Sequence, residues 1–320
     1  MRPFLLILSV IIKENCYFCN KQENRMKKYL KLLRVEQWVK NLFVFGPLFF
    51  SGNFFHQNLL LQSFFAFIVF SLTASSIYIV NDYMDIESDK KHPEKKNRPL
   101  ASGAISKPTA VGIFVFLLLS VVTLIFFGKS YFQVSFWKFA IIIATYFVMN
   151  LLYTFKLKHV AIIDVCIIAM GFVLRVLAGG YASGIPISQW AILLTFLLAL
   201  VLAIGKRRGE LINAQISGKT RRSLDGYNVQ FSDIALSISV TLAIVSYLMF
   251  TVTPEVQEKF GMKVFYTFIF VVFAFLRYLQ QTLVYNRTES PTKIVYKDHY
   301  IQVTIALWAI TFMMLIYYHN

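Results

Sequence analysis

The sequence predicts an all-α integral membrane protein of nine transmembrane helices. Three observations carry that expectation. The 320 residues are 57% hydrophobic and only 15% charged, whereas a soluble domain carries about 25% charged residues. The apolar runs are about 20 residues long, the length that crosses a hydrocarbon core of roughly 30 Å as helix and far more than a barrel strand needs. The cations are also segregated into alternate loops.

Residues 1–25 stand apart. "MRPFLLILSVII" has the apolar character of a signal-peptide core, but no small-residue cleavage site follows. Met26 then opens "MKKYLKLLRVEQWVKN", a basic amphipathic start. The expectation is an upstream extension over 1–25 and a single transmembrane domain over 26–320. Nine segments follow, at 42–57, 59–80, 108–128, 135–153, 160–180, 187–205, 233–253, 264–285 and 300–318. The first is the shortest and contains Gly46 and Pro47. With this alternation, 22 cations fall on one side of the membrane and 4 on the other. The positive-inside rule puts the crowded side in the cytoplasm.

The net charge of +16 would suggest nucleic acid in a soluble protein. Here the cations lie in short loops between apolar segments, where topology and anionic ligands account for them, so no nucleic-acid partner is expected. Cys16 and Cys19 form a C-x-x-C with no second pair to complete a zinc site. Cys166 sits in an apolar segment and reads as packing.

The second segment ends in "NDYMDIESDKKHPEKKNRPLASG", from Asn81 to Gly103. On a helix, at about 100° per residue, Asp82, Asp85 and Asp89 fall at about 0°, 300° and 340°, one narrow stripe. Glu87 falls on the other face. Carboxylates on one stripe repel unless a cation sits among them. Mg²⁺ suits such hard oxygen donors and completes its shell with water and substrate phosphates, with Mn²⁺ as a substitute. A solvated helix end with ordinary surface acids is the plainer alternative. His92, followed by Pro93, reads as a structural loop residue before a general acid.

"NDYMDIESD" resembles N-D-x-x-D-x-x-x-D, the first signature of the UbiA superfamily of membrane prenyltransferases, and the tail through Lys95, Arg98, Pro99 and Gly103 is similar to that family too. The resemblance runs from about Leu33 to the last helix. It implies a nine-helix UbiA-like bundle around a central cavity, a Mg²⁺–diphosphate held by the acidic motif at the cytoplasmic side, and lateral entry of lipid. It also implies the inner (cytoplasmic) membrane of a bacterium, with the active site facing the cytoplasm. On that reading Asp82, Asp85 and Asp89 are the catalytic metal ligands.

The chain departs from the ordinary member after the sixth segment. "GKRRGELINAQISGKTRRSLDGYNVQFSD" holds Glu210, Asp225 and Asp233, no two of them four apart, so the family's second D-x-x-x-D is missing. A basic box, Lys206, Arg207 and Arg208, takes its place. Arginine and lysine neutralise phosphate directly, and arginine can do so with two parallel hydrogen bonds. A pure topology signal is the plainer reading of these cations. The entry "LRVEQWVKNLFVFGP", through Arg34, Gln37, Trp38, Lys40, Asn41 and Pro47, together with "KRRGEL" and "RRSLDGY", is similar to the decaprenyl-phosphate phosphoribosyltransferase branch of the superfamily. That branch implies phosphoribosyl diphosphate as donor and a polyprenyl phosphate as acceptor. The substrate-binding residues it implies are Lys40, Asn41, Asn81, Lys95, Arg98, Lys206, Arg207, Glu210, Arg222 and Tyr227.

"YTFKLKHVAIID" adds Tyr153, Lys156, Lys158 and Asp164, and resembles another family segment. Arg175 lies eleven residues after Asp164, three turns on along one face, so both are expected to line one cavity without pairing, since about 16 Å of rise separates them. A purely structural role for these groups stays open, as does assembly of identical copies. Two rival functions remain. An ordinary prenyltransferase would need the absent second acidic box. A transporter of organic anions would show inverted repeats or paired broken helices, and neither is visible.

Overall fold

The computed structural model describes residues 26–131, 136–217, 224–286, 294 and 297–319. The expected extension 1–25 lies outside the described residues. Among the described residues eight helices are long and apolar enough to cross a bilayer, which makes this an integral membrane protein. In hydrocarbon every backbone N–H and C=O must be satisfied within the chain, and a helix does that locally. The helices are α1 (Gly46–Phe50), α2 (Gln57–Met84), α3 (Ile86–Lys90), α4 (Lys107–Tyr131), α5 (Phe136–Phe155), α6 (Ile163–Ser183), α7 (Gln189–Ser217), α8 (Val229–Thr251), α9 (Pro254–Phe260), α10 (Phe268–Leu279) and α11 (His299–His319). The spans are α2, α4 to α8, the stretch Met262–Val284 that contains α10, and α11. The outer faces are greasy: Val115, Phe116, Leu119, Val122 and Phe126 of α4 are all exposed, as side chains bathed in lipid should be.

Eight of the nine expected segments are such helices. The first, 42–57, is built differently. A 3₁₀ helix over Val35–Phe45 runs into the five-residue α1. Pro47 sits in the first turn of α1, where its missing N–H does no harm, but it could not lie inside a continuous helix. Gly52, at φ 73°, ends the turn that follows.

The chain divides into two compact units, Met1–Leu42 with Phe67–Phe136, and Phe43–Ala66 with Trp137–Asn320. In the first, Leu32, Ile79, Ile86, Leu100, Ile105 and Ala110 form the core. Small hydroxyl residues of α2 hold the entry segment: Trp38 Nε1 donates to Ser75 Oγ (3.0 Å), Ser75 Oγ to the Leu33 carbonyl (2.7 Å), and Asn41 Nδ2 to Ser71 Oγ (2.9 Å). Such residues let helices approach closely and bond across in a medium without water.

In the second unit, Val165, Leu197, Val201, Leu236, Val240 and Phe275 form one core cluster. A Cβ on Gly179 would lie 1.9 Å from the Val44 carbonyl oxygen, so only glycine lets α6 pass that close to the backbone of the 3₁₀ helix. A cavity of about 760 Å³ lies inside this unit, walled by side chains such as Phe50, Val176, Leu198, Phe250, Val271 and Trp308.

Candidate active site

The acidic motif lies in the first unit. Helix α2 runs to Met84, Asp85 makes a one-residue break, and α3 begins at Ile86. The helical spacing survives the break. Asp85 N–H donates to the Asn81 carbonyl (3.0 Å) and Asp89 N–H to the Asp85 carbonyl (2.8 Å). Asp82 and Asp89 therefore stay on one stripe, both buried, with Asp85 half-buried. Arg98 binds the two together: its Nη1 lies 3.1 Å from Asp82 Oδ1 and 2.6 Å from Asp89 Oδ2. Arg34 pairs with the same Asp82 oxygen and stacks over Tyr78. Glu87 is exposed and pairs with Lys90 at 2.9 Å. That hydrogen bond holds its carboxyl below the ordinary glutamate value.

The other expected residues of this unit are placed around the motif. Asn81 is half-buried, as are Lys40 and Lys95. Asn41 is buried on Ser71. His92 Nδ1 accepts from the Glu94 and Lys95 N–H groups, which is a turn-forming use of the ring. Among the described residues no group of three or more His, Cys, Asp or Glu side chains is gathered tightly enough to hold a metal ion by itself.

The second unit contains a buried polar knot. Arg207 Nε donates to Asp164 Oδ2 (2.7 Å), and its Nη1 to Glu210 Oε2 (2.6 Å). Tyr227 Oη donates to Asp164 Oδ1 (2.6 Å) and accepts from the Ile162 N–H (2.7 Å). Asp164 has no exposed surface and Arg207 only 4%. Burial and the Asp164 hydrogen bond hold the Tyr227 phenol well above its ordinary value, so it remains a donor. Ile162 takes φ 70° at the head of α6, a left-handed conformation that a β-branched residue adopts only under constraint. Its bond to Tyr227 supplies one.

Four residues expected from separate stretches, Asp164, Arg207, Glu210 and Tyr227, thus meet in one place. Lys206 stays exposed, 3.9 Å from Glu210. Tyr153 and Lys158 are half-buried and Lys156 is exposed near the end of α5. Arg175 does not join the knot. Its Nη1 donates to the Gly171 carbonyl (2.7 Å) and its Nη2 to Tyr146 Oη (3.0 Å). Arg222 lies outside the described residues. Arg208, not singled out for substrate, is a strut: it pairs with Asp233 and donates to the Thr282 carbonyl (2.7 Å) and to Asn286 Oδ1 (2.9 Å). Arg34 was legible only as part of the entry motif; its pairing with Asp82 was not.

Comparison with known proteins gives concordant results. Residues 42–301 match the family described as the UbiA prenyltransferase family. The chain is 33% identical over 313 residues to a decaprenyl-phosphate phosphoribosyltransferase of Mycolicibacterium smegmatis, covering 92% of this chain and 94% of that protein. Among solved structures it is similar to a digeranylgeranylglyceryl phosphate synthase (TM-score 0.65, 22% identity, 92% of this chain and 99% of that one). It is also similar to a UbiA homolog from Archaeoglobus fulgidus bound to DMAPP and Mg²⁺ (TM-score 0.62, 17% identity, 91% and 99%). At these identities the two structures speak for the fold.

Proposed function

This chain belongs to the UbiA prenyltransferase family, and we propose that it transfers a 5-phosphoribosyl group from phosphoribosyl diphosphate to a polyprenyl phosphate, releasing diphosphate. The observation that carries this reading is the one-third identity, along nearly the whole chain, to a relative named for that reaction. The Arg207 knot supports it, because it stands where an ordinary member would keep a second acidic box.

The acceptor phosphate is already an anion at neutral pH, so its oxygen attacks the ribose anomeric carbon without a general base. The bond from that carbon to the diphosphate oxygen breaks, and the electron pair leaves with diphosphate. In-line attack inverts the centre through an oxocarbenium-like transition state. The protein's work is positioning and charge stabilisation.

The acidic stripe fits a divalent ion that arrives on the diphosphate. Mg²⁺ typically takes one or two carboxylates and fills its shell with water and phosphate oxygens, and Asp82, Asp85 and Asp89 offer hard donors on one face. No cage of three tight ligands is required, in keeping with the geometry. Bound there, Mg²⁺ or Mn²⁺ supplies charge neutralisation to the leaving diphosphate. Arg34 and Arg98, which neutralise the aspartates here, are placed to turn to phosphate oxygens. Lys206, exposed beside Glu210, is the cation of the basic box best able to meet the donor's 5-phosphate, with Arg222, further along the same loop sequence, as its companion. Arg207 and Tyr227 act through Asp164 and Glu210, as positioning residues. The apolar cavity suits the isoprenoid chain of the acceptor. The crowded cationic side supports a cytoplasmic face for this chemistry, in a bacterial inner membrane. Donor choice tests the reading: purified protein should consume phosphoribosyl diphosphate with a polyprenyl phosphate, and should not use a prenyl diphosphate with an aromatic acceptor.

A further inference from the structure

The cavity of the second unit has a direction. Along α7 its wall runs from Ala191 to Leu202, and Lys206 of the basic box follows about 6 Å of rise further on. Tyr278 and Ile301 line that same end and share one core cluster. A Cβ on Gly205, next to Lys206, would come within 2.2 Å of Tyr278 Oη. Trp308 also lines the cavity. It follows Ile301 along α11 by about 10 Å of rise and packs against a second cluster, formed by Tyr247, Phe250, Phe260 and Phe312. A lipid whose phosphate faces the basic box therefore meets Trp308 with its chain, well beyond its head.

The indole of Trp308 is held by a directed chain of hydrogen bonds. Trp308 Nε1 donates to Tyr247 Oη (2.7 Å). Thr267 Oγ1 donates to the Val264 carbonyl (2.6 Å), which can only accept. That uses the single Thr267 proton, so the 2.6 Å bond between Tyr247 Oη and Thr267 Oγ1 runs from tyrosine to threonine. Tyr247 is 2% exposed and Thr267 1%, which closes the chain to solvent. Phe312, fully buried, stacks on the indole with 5.5 Å between ring centroids and 26° between planes. Buried Trp and Tyr ordinarily find one polar partner each. Here the partners act in series, and with the stacked ring they fix both the position and the plane of one side chain in the cavity wall.

We infer that Trp308 is a specificity-determining residue for the lipid acceptor: its fixed indole packs against the isoprenoid chain and favours lipids long enough to reach it. The assignment rests on the proposed function, which puts that chain in this cavity. Tyr247 is a positioning residue that acts through the indole N–H. A ring already ordered by its neighbours gives apolar contact without a further entropy cost on binding. A prenyl phosphate of one isoprene unit carries the same head but stops short of the indole, so it gains nothing from Trp308.

The test compares a single-isoprene phosphate with a long polyprenyl phosphate. Binding of each is measured on the full-length protein in detergent, without donor, below the melting temperature of every variant. Wild type should bind the long lipid more tightly. Trp308→Ala should shrink that advantage about tenfold, the scale for one large apolar contact, and leave binding of the short lipid unchanged. Tyr247→Phe keeps the ring but releases the indole, and should shrink the advantage about threefold. Trp308→Phe needs no such bond. It should keep most of the advantage, and adding Tyr247→Phe to it should change nothing further. In turnover Trp308→Ala should raise the Michaelis constant for the long lipid while that for phosphoribosyl diphosphate stays put. Should Trp308→Ala not fold, Trp308→Leu is read in the same way. A length advantage unchanged without the indole would overturn the assignment, and so would equal losses for the short and long lipids. A loss in Trp308→Ala with none in Tyr247→Phe would remove the role of Tyr247. The two readings separate cleanly. A wild type that shows the Trp308-dependent length preference but transfers no phosphoribosyl group keeps the site and removes the reaction. Normal transfer with variants that bind both lipids like wild type removes the site and keeps the reaction.

Discussion

Arg207 meets Asp164 at 2.7 Å where neither side chain has more than marginal contact with solvent. The pair joins the start of α6 to the middle of α7 and is extended by Glu210 and Tyr227. Removing one member of a buried ion pair leaves the other charged and unpaired, which costs about 3–5 kcal/mol.

Arg207→Ala and Asp164→Ala should therefore lower the melting temperature of the purified protein sharply. Arg207→Lys should rescue little, because an ammonium cannot serve Asp164 and Glu210 through a planar fork. Thermal unfolding in detergent measures this. A normal melting temperature in Arg207→Ala, with only the donor's Michaelis constant raised, would make Arg207 a direct phosphate ligand and not a positioning residue.

Asp82→Asn and Asp85→Asn should lower turnover on the order of a hundredfold or more, the scale for losing one preorganised charge-stabilising group. Glu87→Ala should turn over at close to the wild-type rate, as for an ordinary surface substitution, since Glu87 is exposed and pairs with Lys90. Steady-state kinetics on the three variants decides it. Equal damage from Glu87→Ala would refute the single-stripe arrangement.

Chelation should abolish activity, and added Mg²⁺ or Mn²⁺ should restore it. The same titration followed by donor binding should show the ion and phosphoribosyl diphosphate binding cooperatively, because the aspartates alone do not form a closed cage. Full activity in excess chelator would remove the role given to Asp82, Asp85 and Asp89.

Asp298 gives a pH prediction. Burial pushes its carboxyl up, but hydrogen bonds from Arg277 and from the Ile301 N–H outweigh that and hold it below the ordinary aspartate value. Gln281 Nε2 also donates to it at 2.6 Å. A depressed carboxyl contributes stability above its unfolded value, about 3.9, and loses it as pH falls through the folded value. Asp298→Asn should melt below wild type at neutral pH, and the two should converge as the pH falls below about 4. A gap that persists in acid would mean that shape, not charge, makes the contact.

The helical spans, the acidic stripe and the cationic asymmetry were legible because each is a local pattern. Asp82 and Asp89 stay on one face since hydrogen bonds four residues apart carry through the break at Asp85. Their closure by Arg34 was not legible, because 48 residues separate it from Asp82. The same holds for the Arg207 knot, whose members come from three stretches of chain. Sequence reading pointed to all four members yet offered Arg207 to substrate, and packing gave it two carboxylates instead. Asp164 and Arg175 share a helix face, but three turns of rise gave Arg175 a different partner in Tyr146. The first segment fell short of a spanning helix because Pro47 permits only a helix that starts there.

Donor discrimination tests the central claim most directly. Purified protein in detergent, with Mg²⁺, is given labelled phosphoribosyl diphosphate and a polyprenyl phosphate, and in parallel a labelled prenyl diphosphate with an aromatic acceptor. The account predicts a lipid-linked phosphoribose with inverted anomeric configuration in the first reaction and no product in the second. Prenylation of the aromatic acceptor, with no phosphoribosyl transfer, would contradict it and make this an ordinary prenyltransferase of the family.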